Sequence, residues 1–153
     1  IVIYSGRKIV MKEYKELTIL IAEDDDGHAD LIMTGLKESG ICNDMIRFID
    51  GQQTWDFISG KDKNKGLDKE KSYLLLLDIN MPKMDGIEVL ERIKGDDDLK
   101  NLPVLMLTTT DDPREVEKCY ALGCNIYVTK PVDFLKFAET LKRLGLFIQV
   151  VKV

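Results

Sequence analysis

Residues 73–77 read Tyr-Leu-Leu-Leu-Leu and stop on Asp78. An apolar run that does not alternate is a strand buried on both faces, and such strands lie at the centre of parallel sheets. Ile79-Asn80-Met81-Pro82-Lys83-Met84-Asp85-Gly86 then turns the chain. Open α/β sheets hold their sites in the loops at the carboxyl ends of parallel strands. A carboxylate placed there costs free energy unless it has a partner, so the residues brought near Asp78 decide what this chain can do.

The rest of the sequence alternates strand and helix patterns around that run. Leu17–Ala22 is a first apolar strand ending in Glu23-Asp24-Asp25-Asp26. Ala29, Ile32, Met33 and Leu36 recur at helical spacing, with Asp26 as the expected cap and Gly40 as the stop. Met45–Ile49 is a second strand. Trp55, which belongs to the core, and Ile58 mark a helix ending at Gly60. Residues 61–72 are polar and read as a surface loop. After the third strand, Ile87, Leu90 and Ile93 line a helix stopped by Gly95. Pro103–Leu107 is a fourth strand followed by Thr108. Asp112-Pro113 starts a helix that ends at Gly123. Cys124–Val128 is a fifth strand followed by Thr129-Lys130-Pro131, and Phe134, Ala138 and Leu141 mark a last helix ending near Gly145. Five βα units imply an α/β fold: a doubly wound, five-stranded parallel sheet with right-handed crossovers.

A chain of 153 residues is enough for one domain with a proper core. Its net charge of −5, without a Lys/Arg cluster, argues against nucleic acid. No apolar run reaches the roughly 20 residues that cross a bilayer, and no signal-peptide pattern is present, so a cytoplasmic location is expected. Three cysteines, Cys42, Cys119 and Cys124, lack CxxC spacing and are expected to be free thiols. His28, the one histidine, is expected to be a solvated helix residue. Met11 has the look of a start, and on that reading residues 1–10 are either added or upstream sequence.

The polar residues at the strand ends form a pattern. The first strand ends in Glu23-Asp24, the third in Asp78, the fourth in Thr108, and Lys130 follows the fifth. All fall on the carboxyl edge of one sheet. Three carboxylates repel one another, and a hard divalent cation such as Mg²⁺ relieves that while keeping positions open for phosphate oxygens. A hydroxyl and an ammonium beside them can bind the remaining oxygens of a phosphoryl group. The set suits phosphoryl transfer to an aspartate.

Four motifs, in order and each at a strand end, carry a family resemblance: Ile-Leu-Ile-Ala-Glu23-Asp24-Asp25; Leu-Leu-Leu-Asp78-Ile-Asn-Met-Pro82-Lys-Met-Asp-Gly86; Leu-Pro103-Val-Leu-Met-Leu-Thr108; and Tyr127-Val-Thr-Lys130-Pro131. From about Leu17 to Leu144 the chain resembles the response-regulator receiver domains of two-component signalling, which have a flavodoxin-like (βα)5 fold. The resemblance implies that Asp78 is the phosphoacceptor, and that Glu23, Asp24, Asp78 and the backbone carbonyl of Asn80 hold Mg²⁺. It implies that Thr108 and Lys130 contact the phosphoryl group, that Thr108 and Tyr127 form the switch, and that the Lys130–Pro131 bond is cis. Within the family, the long loop before the third strand and the Gly-Leu-Phe near the end are similar to single-domain regulators that serve bacterial phytochromes.

On this reading residues 1–16 are an N-terminal extension, 17–145 the receiver domain and 146–153 an extended apolar tail, since Gly145 breaks the helix and β-branched and aromatic residues follow. The protein is expected to be a switch rather than an enzyme. A sensor histidine kinase or phosphotransfer protein would modify it, and it would act on another protein through the face of the fourth helix, fifth strand and fifth helix. The apolar tail is expected to pack on its own fold or to help build a homodimer there. One departure from the family is Thr109, where Ala or Gly is usual and where a larger side chain narrows access. An aspartate-nucleophile phosphatase of the haloacid-dehalogenase type is the alternative, but its second aspartate is Asn80 here and the general acid is missing. A flavodoxin-like cofactor binder needs a Gly/Ser/Thr-rich loop after the first strand, where this chain has four acidic residues.

Overall fold

The structure, a computed structural model, describes residues 2–5, 8–11, 16–61 and 66–151. Five parallel strands form its central sheet: β3 (Glu16–Ala22), β4 (Met45–Phe48), β5 (Lys71–Leu77), β6 (Val104–Thr108) and β7 (Ile126–Thr129), in the order β4-β3-β5-β6-β7. The helices between and after them are α1 (Asp26–Glu38), α2 (Gly51–Ser59), α3 (Gly86–Lys94), α4 (Pro113–Leu122) and α5 (Phe134–Val151). This is the doubly wound, flavodoxin-like arrangement expected from the sequence. Its connections reverse direction between β3 and β5, which is where such sheets place a ligand.

Period-two alternation explains why the central strands read as continuous apolar runs. Leu20, Ala22, Leu75, Leu77, Val104 and Met106 point to one face, where they meet Trp55, Ile58, Leu90 and Ile93 of α2 and α3. Ile19, Ile21, Leu74, Leu76, Leu105 and Leu107 point to the other and meet Ile32 and Leu36 of α1 and Phe137, Leu141 and Leu144 of α5. Both faces are covered, so neither can be polar. Cys119 and Cys124 are free and buried, and Cys42 is free and exposed.

Local chemistry sets the helix ends. Asp112 caps α4 by accepting from Arg114 N at 2.9 Å, Pro113 takes the first helical position, and Gly123 closes the helix at φ 107°. At α1 the cap is Asp25, not Asp26 as expected. Asp25 accepts from His28 N at 2.8 Å, which frees the Asp26 carboxylate to pair with Arg47. The strand β5 begins at Lys71, two residues inside the segment read as loop, because β3 offers a partner for each residue from Glu16 to Ala22. Gly86 opens α3 directly behind the site: a Cβ there would lie 2.0 Å from the Asp78 carbonyl oxygen.

Two expectations need correction. The last helix does not stop at Gly145 but runs to Val151, so residues 146–151 are helical rather than an extended tail. Residues 152–153 of that tail lie outside the described residues. Phe137, Leu141, Leu144 and Ile148 keep a helical stripe against α1, and that burial outweighs the weak β preference of the segment. Gly145 serves close approach: a Cβ there would lie 1.8 Å from Ser39 Oγ and 2.7 Å from Ser39 Cβ. The N-terminal extension, in which no element is expected from the sequence, contains an antiparallel hairpin, β1 (Val2–Ser5) with β2 (Lys8–Met11), a two-stranded sheet separate from the central one. β-Branched Val2, Ile3, Ile9 and Val10 favour strands. The second correction is at Lys130–Pro131: there is no cis peptide among the described residues, so this bond is trans, the form X–Pro bonds favour by default.

Gly145→Ala tests the role given to this glycine. Alanine brings about 1 kcal/mol of helix propensity, but overpacking a tight contact costs about 1–3 kcal/mol. Urea denaturation should show net destabilisation, partly recovered by adding Ser39→Gly. A stabilised Gly145→Ala would mean that α5 does not close on α1 at this point.

Candidate functional site

The carboxyl ends of β3, β5, β6 and β7 bring together most of the residues expected at a site. Asp78 N donates to the Ala22 carbonyl at 3.1 Å, and Glu23 N donates to the Phe48 carbonyl at 3.1 Å, so the ladder continues past both strand ends. Glu23 is 1% exposed, Asp78 7% and Lys130 3%, whereas Asp24 is exposed. One carboxylate oxygen from each of Glu23, Asp24 and Asp78 lies within 4.8 Å of the others. These are hard oxygen donors, two fixed by burial and one facing water, and they fit a divalent cation that keeps part of its hydration.

Lys130 supplies the positive charge between them. Its Nζ donates to Glu23 Oε1 and, at 3.2 Å, to Asp78 Oδ2. Asp78 Oδ1 accepts from Ile79 N at 2.8 Å. The Glu23 carboxyl is nevertheless pushed up to about 7 from its ordinary 4.5, because burial penalises the charged form more than the Lys130 ammonium favours it. Asp78 adds repulsion in the same direction.

The other expected residues fall nearby. Thr108 is fully buried at the end of β6, and its Oγ1 accepts from Thr110 N at 3.5 Å. Thr109 is exposed. Asn80, two residues beyond Asp78, is exposed and donates through Nδ2 to Thr110 Oγ1 at 3.3 Å. Tyr127 is half-buried and donates to the Thr110 carbonyl at 2.5 Å, while its own N–H donates to Tyr120 Oη at 3.0 Å. Burial pushes the Tyr127 phenol up to about 12, with further push from Cys119 and nearby carboxylates, so it stays a donor.

Two residues at this edge were not recognisable in the sequence. His28, expected to be a solvated helix residue, does keep 39% of its side chain exposed on α1, but it also places Nδ1 3.4 Å from Lys130 Nζ and 3.6 Å from Glu23 Oε1, with its ring in a T-shaped pair with Phe137, centroids 5.9 Å apart. A position one turn beyond a capped acidic loop was the available signal. Arg47 on β4 reaches the main chain of Glu23 and Asp24, and nothing local in the sequence announces that.

The fold and this edge define a class: doubly wound single-sheet proteins with an acidic cluster, a buried lysine and a buried threonine at the strand ends. The response regulator receiver domain profile matches residues 19–142, and the chain belongs to that family. It is similar to Response regulator Rcp1 of Synechocystis, 38% identical over 112 residues that make up 73% of this chain and 75% of that one. A receiver domain structure from Rhodospirillum rubrum superposes with a TM-score of 0.82 at 43% identity, covering 87% of this chain and 94% of that one. The phosphorylated cyanobacterial phytochrome response regulator RcpA superposes with a TM-score of 0.76 at 29% identity, covering 88% and 94%. The chain is a regulator of two-component signalling, related to phytochrome response regulators, and nothing in these matches supports the haloacid-dehalogenase alternative. Among the described residues, no helix is long and apolar enough to cross a membrane.

The Glu23 carboxyl gives a pH prediction for the cation-free protein. A carboxyl raised in the folded state binds more protons folded than unfolded between its ordinary 4.5 and about 7. Its contribution to stability is therefore present below 4.5 and is lost as pH rises through 7. Unfolding free energies of the parent and of Glu23→Gln, measured from pH 4 to 8 in EDTA, should converge on a difference curve that falls across that window and flattens above it. A flat difference curve would place the titration elsewhere.

Proposed function

We propose that this protein is a phosphorylation switch in which Asp78 accepts a phosphoryl group from a histidine kinase or phosphotransfer protein in the cytoplasm, and that it has no turnover activity of its own. The observation that carries this reading is the burial of Lys130 between Glu23 and Asp78, beside the exposed carboxylate of Asp24. An Asp78 carboxylate oxygen attacks phosphorus, the P–N bond of the donor phosphohistidine breaks, and the imidazole leaves with the electron pair and takes a proton.

The three carboxylates, with the Asn80 carbonyl, are the residues that would hold Mg²⁺. When bound, Mg²⁺ supplies positive charge that offsets their repulsion and that of the incoming phosphoryl oxygens. A Mn²⁺-bound structure of Rcp1, similar to this chain at a TM-score of 0.77 and 33% identity over 85% of this chain and 92% of that one, supports a divalent cation here. Lys130 then exchanges its carboxylate partners for a phosphoryl oxygen, and the Thr108 hydroxyl donates to another.

Thr108 is linked to Thr110, Thr110 to Tyr127 and Tyr127 to Tyr120 by hydrogen bonds, so a shift at Thr108 has a connected route to the face of α4, β7 and α5. Tyr120, Val132, Phe134 and Leu135 are exposed on and beside that face and would meet a downstream protein or a second copy of the chain. Sedimentation with and without phosphorylation separates those two partners.

Incubation with a small acyl-phosphate donor and Mg²⁺ should raise the intact mass by one phosphoryl group. Asp78→Asn and EDTA should each abolish the gain, and full labelling of Asp78→Asn would sink the assignment. Thr108→Ala should still accept the group yet lose the phosphorylation-dependent NMR shifts around residues 120–127. Lys130→Ala should slow labelling, and removing one partner of a buried ion pair should cost stability by about 3–5 kcal/mol.

A further inference from the structure

Arg47 lies on the edge strand β4, opposite Ile21 in the parallel register, and its guanidinium is spent on one short segment of another strand's loop. Nε donates to the Glu23 carbonyl at 3.0 Å, Nη2 to the same carbonyl at 2.9 Å and to the Asp24 carbonyl at 3.2 Å, and Nη1 to Asp26 Oδ1 at 2.7 Å. The Arg47 side chain is 20% exposed: its bonds to the Glu23 carbonyl are partly buried, while its Asp26 partner stands in solvent at 88%.

The segment it grips carries two of the three clustered carboxylates. Its far side is fixed by the Asp25 cap, through His28 N and through Ala29 N on the Asp25 carbonyl at 2.9 Å. Its near side turns out of β3, where the sheet ladder ends at the Glu23 N–H. The Glu23 and Asp24 carbonyls have no ladder partner in this direction, and Arg47 takes that place. Four acidic residues in a row would otherwise push this turn apart.

We propose that Arg47 is a positioning residue for the divalent-cation cluster: its fork holds the main chain of Glu23 and Asp24 so that their carboxylates stand together before a cation arrives. This rests on reading Glu23, Asp24 and Asp78 as the cation site. A positive charge beside a cation site would by itself weaken binding. Here that charge is already paired with Asp26, whose carboxylate is open to solvent and screened, so the geometric effect decides the sign. Lysine cannot take over the role, since a point ammonium on a flexible stem does not span two carbonyls and a carboxylate.

Mn²⁺ and Mg²⁺ titrations of the full chain, read by calorimetry and by the electron paramagnetic signal of free Mn²⁺, test this. Arg47→Gln and Arg47→Lys should both bind more weakly by about tenfold or more, the range found when groups that orient metal ligands are removed. Amide hydrogen exchange in residues 24–28 of the cation-free protein should become faster in both. Asp26→Asn, which leaves the carbonyl contacts, should weaken binding less than either. Arg47→Lys binding like the parent, or Arg47→Gln binding as tightly as the parent or tighter, would overturn the proposal. A parent chain that binds neither cation, or an Asp24→Asn variant that binds like the parent, would instead overturn the site reading. If Arg47→Gln fails to fold, Arg47→Lys and Asp26→Asn still decide between geometry and charge.

Discussion

A lysine ammonium buried between two carboxylates holds the carboxyl edge of this sheet together. Lys130 follows β7, while Glu23 and Asp78 end β3 and β5, so one side chain ties three strands. The order β3-β5-β6-β7 puts β6 between the lysine and its partners. Neighbouring strands are about 4.8 Å apart, so the span from β7 to β5 is about 10 Å, a reach that favours a long side chain. That side chain crosses the end of β6, where Thr108 is buried. Desolvating such a pair costs several kcal/mol per ion in general, and the attraction does little more than return it. The arrangement is therefore weak evidence for stability and stronger evidence for a site. The ammonium contacts Glu23 and Asp78, and the third carboxylate of the cluster, Asp24, stands on the side open to water.

The same constraint organises what surrounds the edge. Gly86 lets α3 start against the Asp78 carbonyl, and Gly86 N donates to the Ile79 carbonyl at 2.8 Å, so the loop after β5 folds back under the carboxylate. The β6–α4 connection is held from two sides, by Asn80 on the Thr110 hydroxyl and by Tyr127 on the Thr110 carbonyl. Thr110 is therefore the residue through which the site and the α4–β7 region share a hydrogen-bonded connection. Tyr127 is half-buried, packed against the core on one side and hydrogen-bonded to Thr110 at its hydroxyl.

How far the sequence could be read depended on the range of the interaction. Strand ends, the Asp112-Pro113 cap with its Gly123 stop, and the acidic residues at two strand ends were legible because periodicity and capping act over a few residues. The grouping of Glu23, Asp24, Asp78, Thr108 and Lys130 was legible because one parallel sheet must put its carboxyl ends on one edge. Gly145 was misread because its reason lies at Ser39, more than a hundred residues earlier, and local propensity says only that glycine weakens a helix. Asp25 and Asp26 could not be ranked as caps without Arg47, which comes from another strand. His28 looked solvated because nothing nearby in the chain shows that β7 delivers a lysine beside it.

The extension of α5 and the position of His28 belong to one structural feature. α1 and α5 pack along a shared seam in which Leu36, Leu141, Leu144 and Ile148 are buried, and His28 sits at the end of that seam nearest the site. Its ring edge meets Phe137 of α5, and its Nδ1 faces Lys130 Nζ. A lysine that leaves Glu23 for a phosphoryl oxygen also changes its distance to His28. On the proposed reading, a change at the site would therefore meet the α1–α5 seam at His28 as well as Thr110 and Tyr127. The helical residues of α5 beyond Gly145 lengthen that seam: Ile148 is buried, and Gln149 Nε2 donates to the Ser39 carbonyl at 2.7 Å, so the far end of α5 is tied to the end of α1 by both packing and a hydrogen bond.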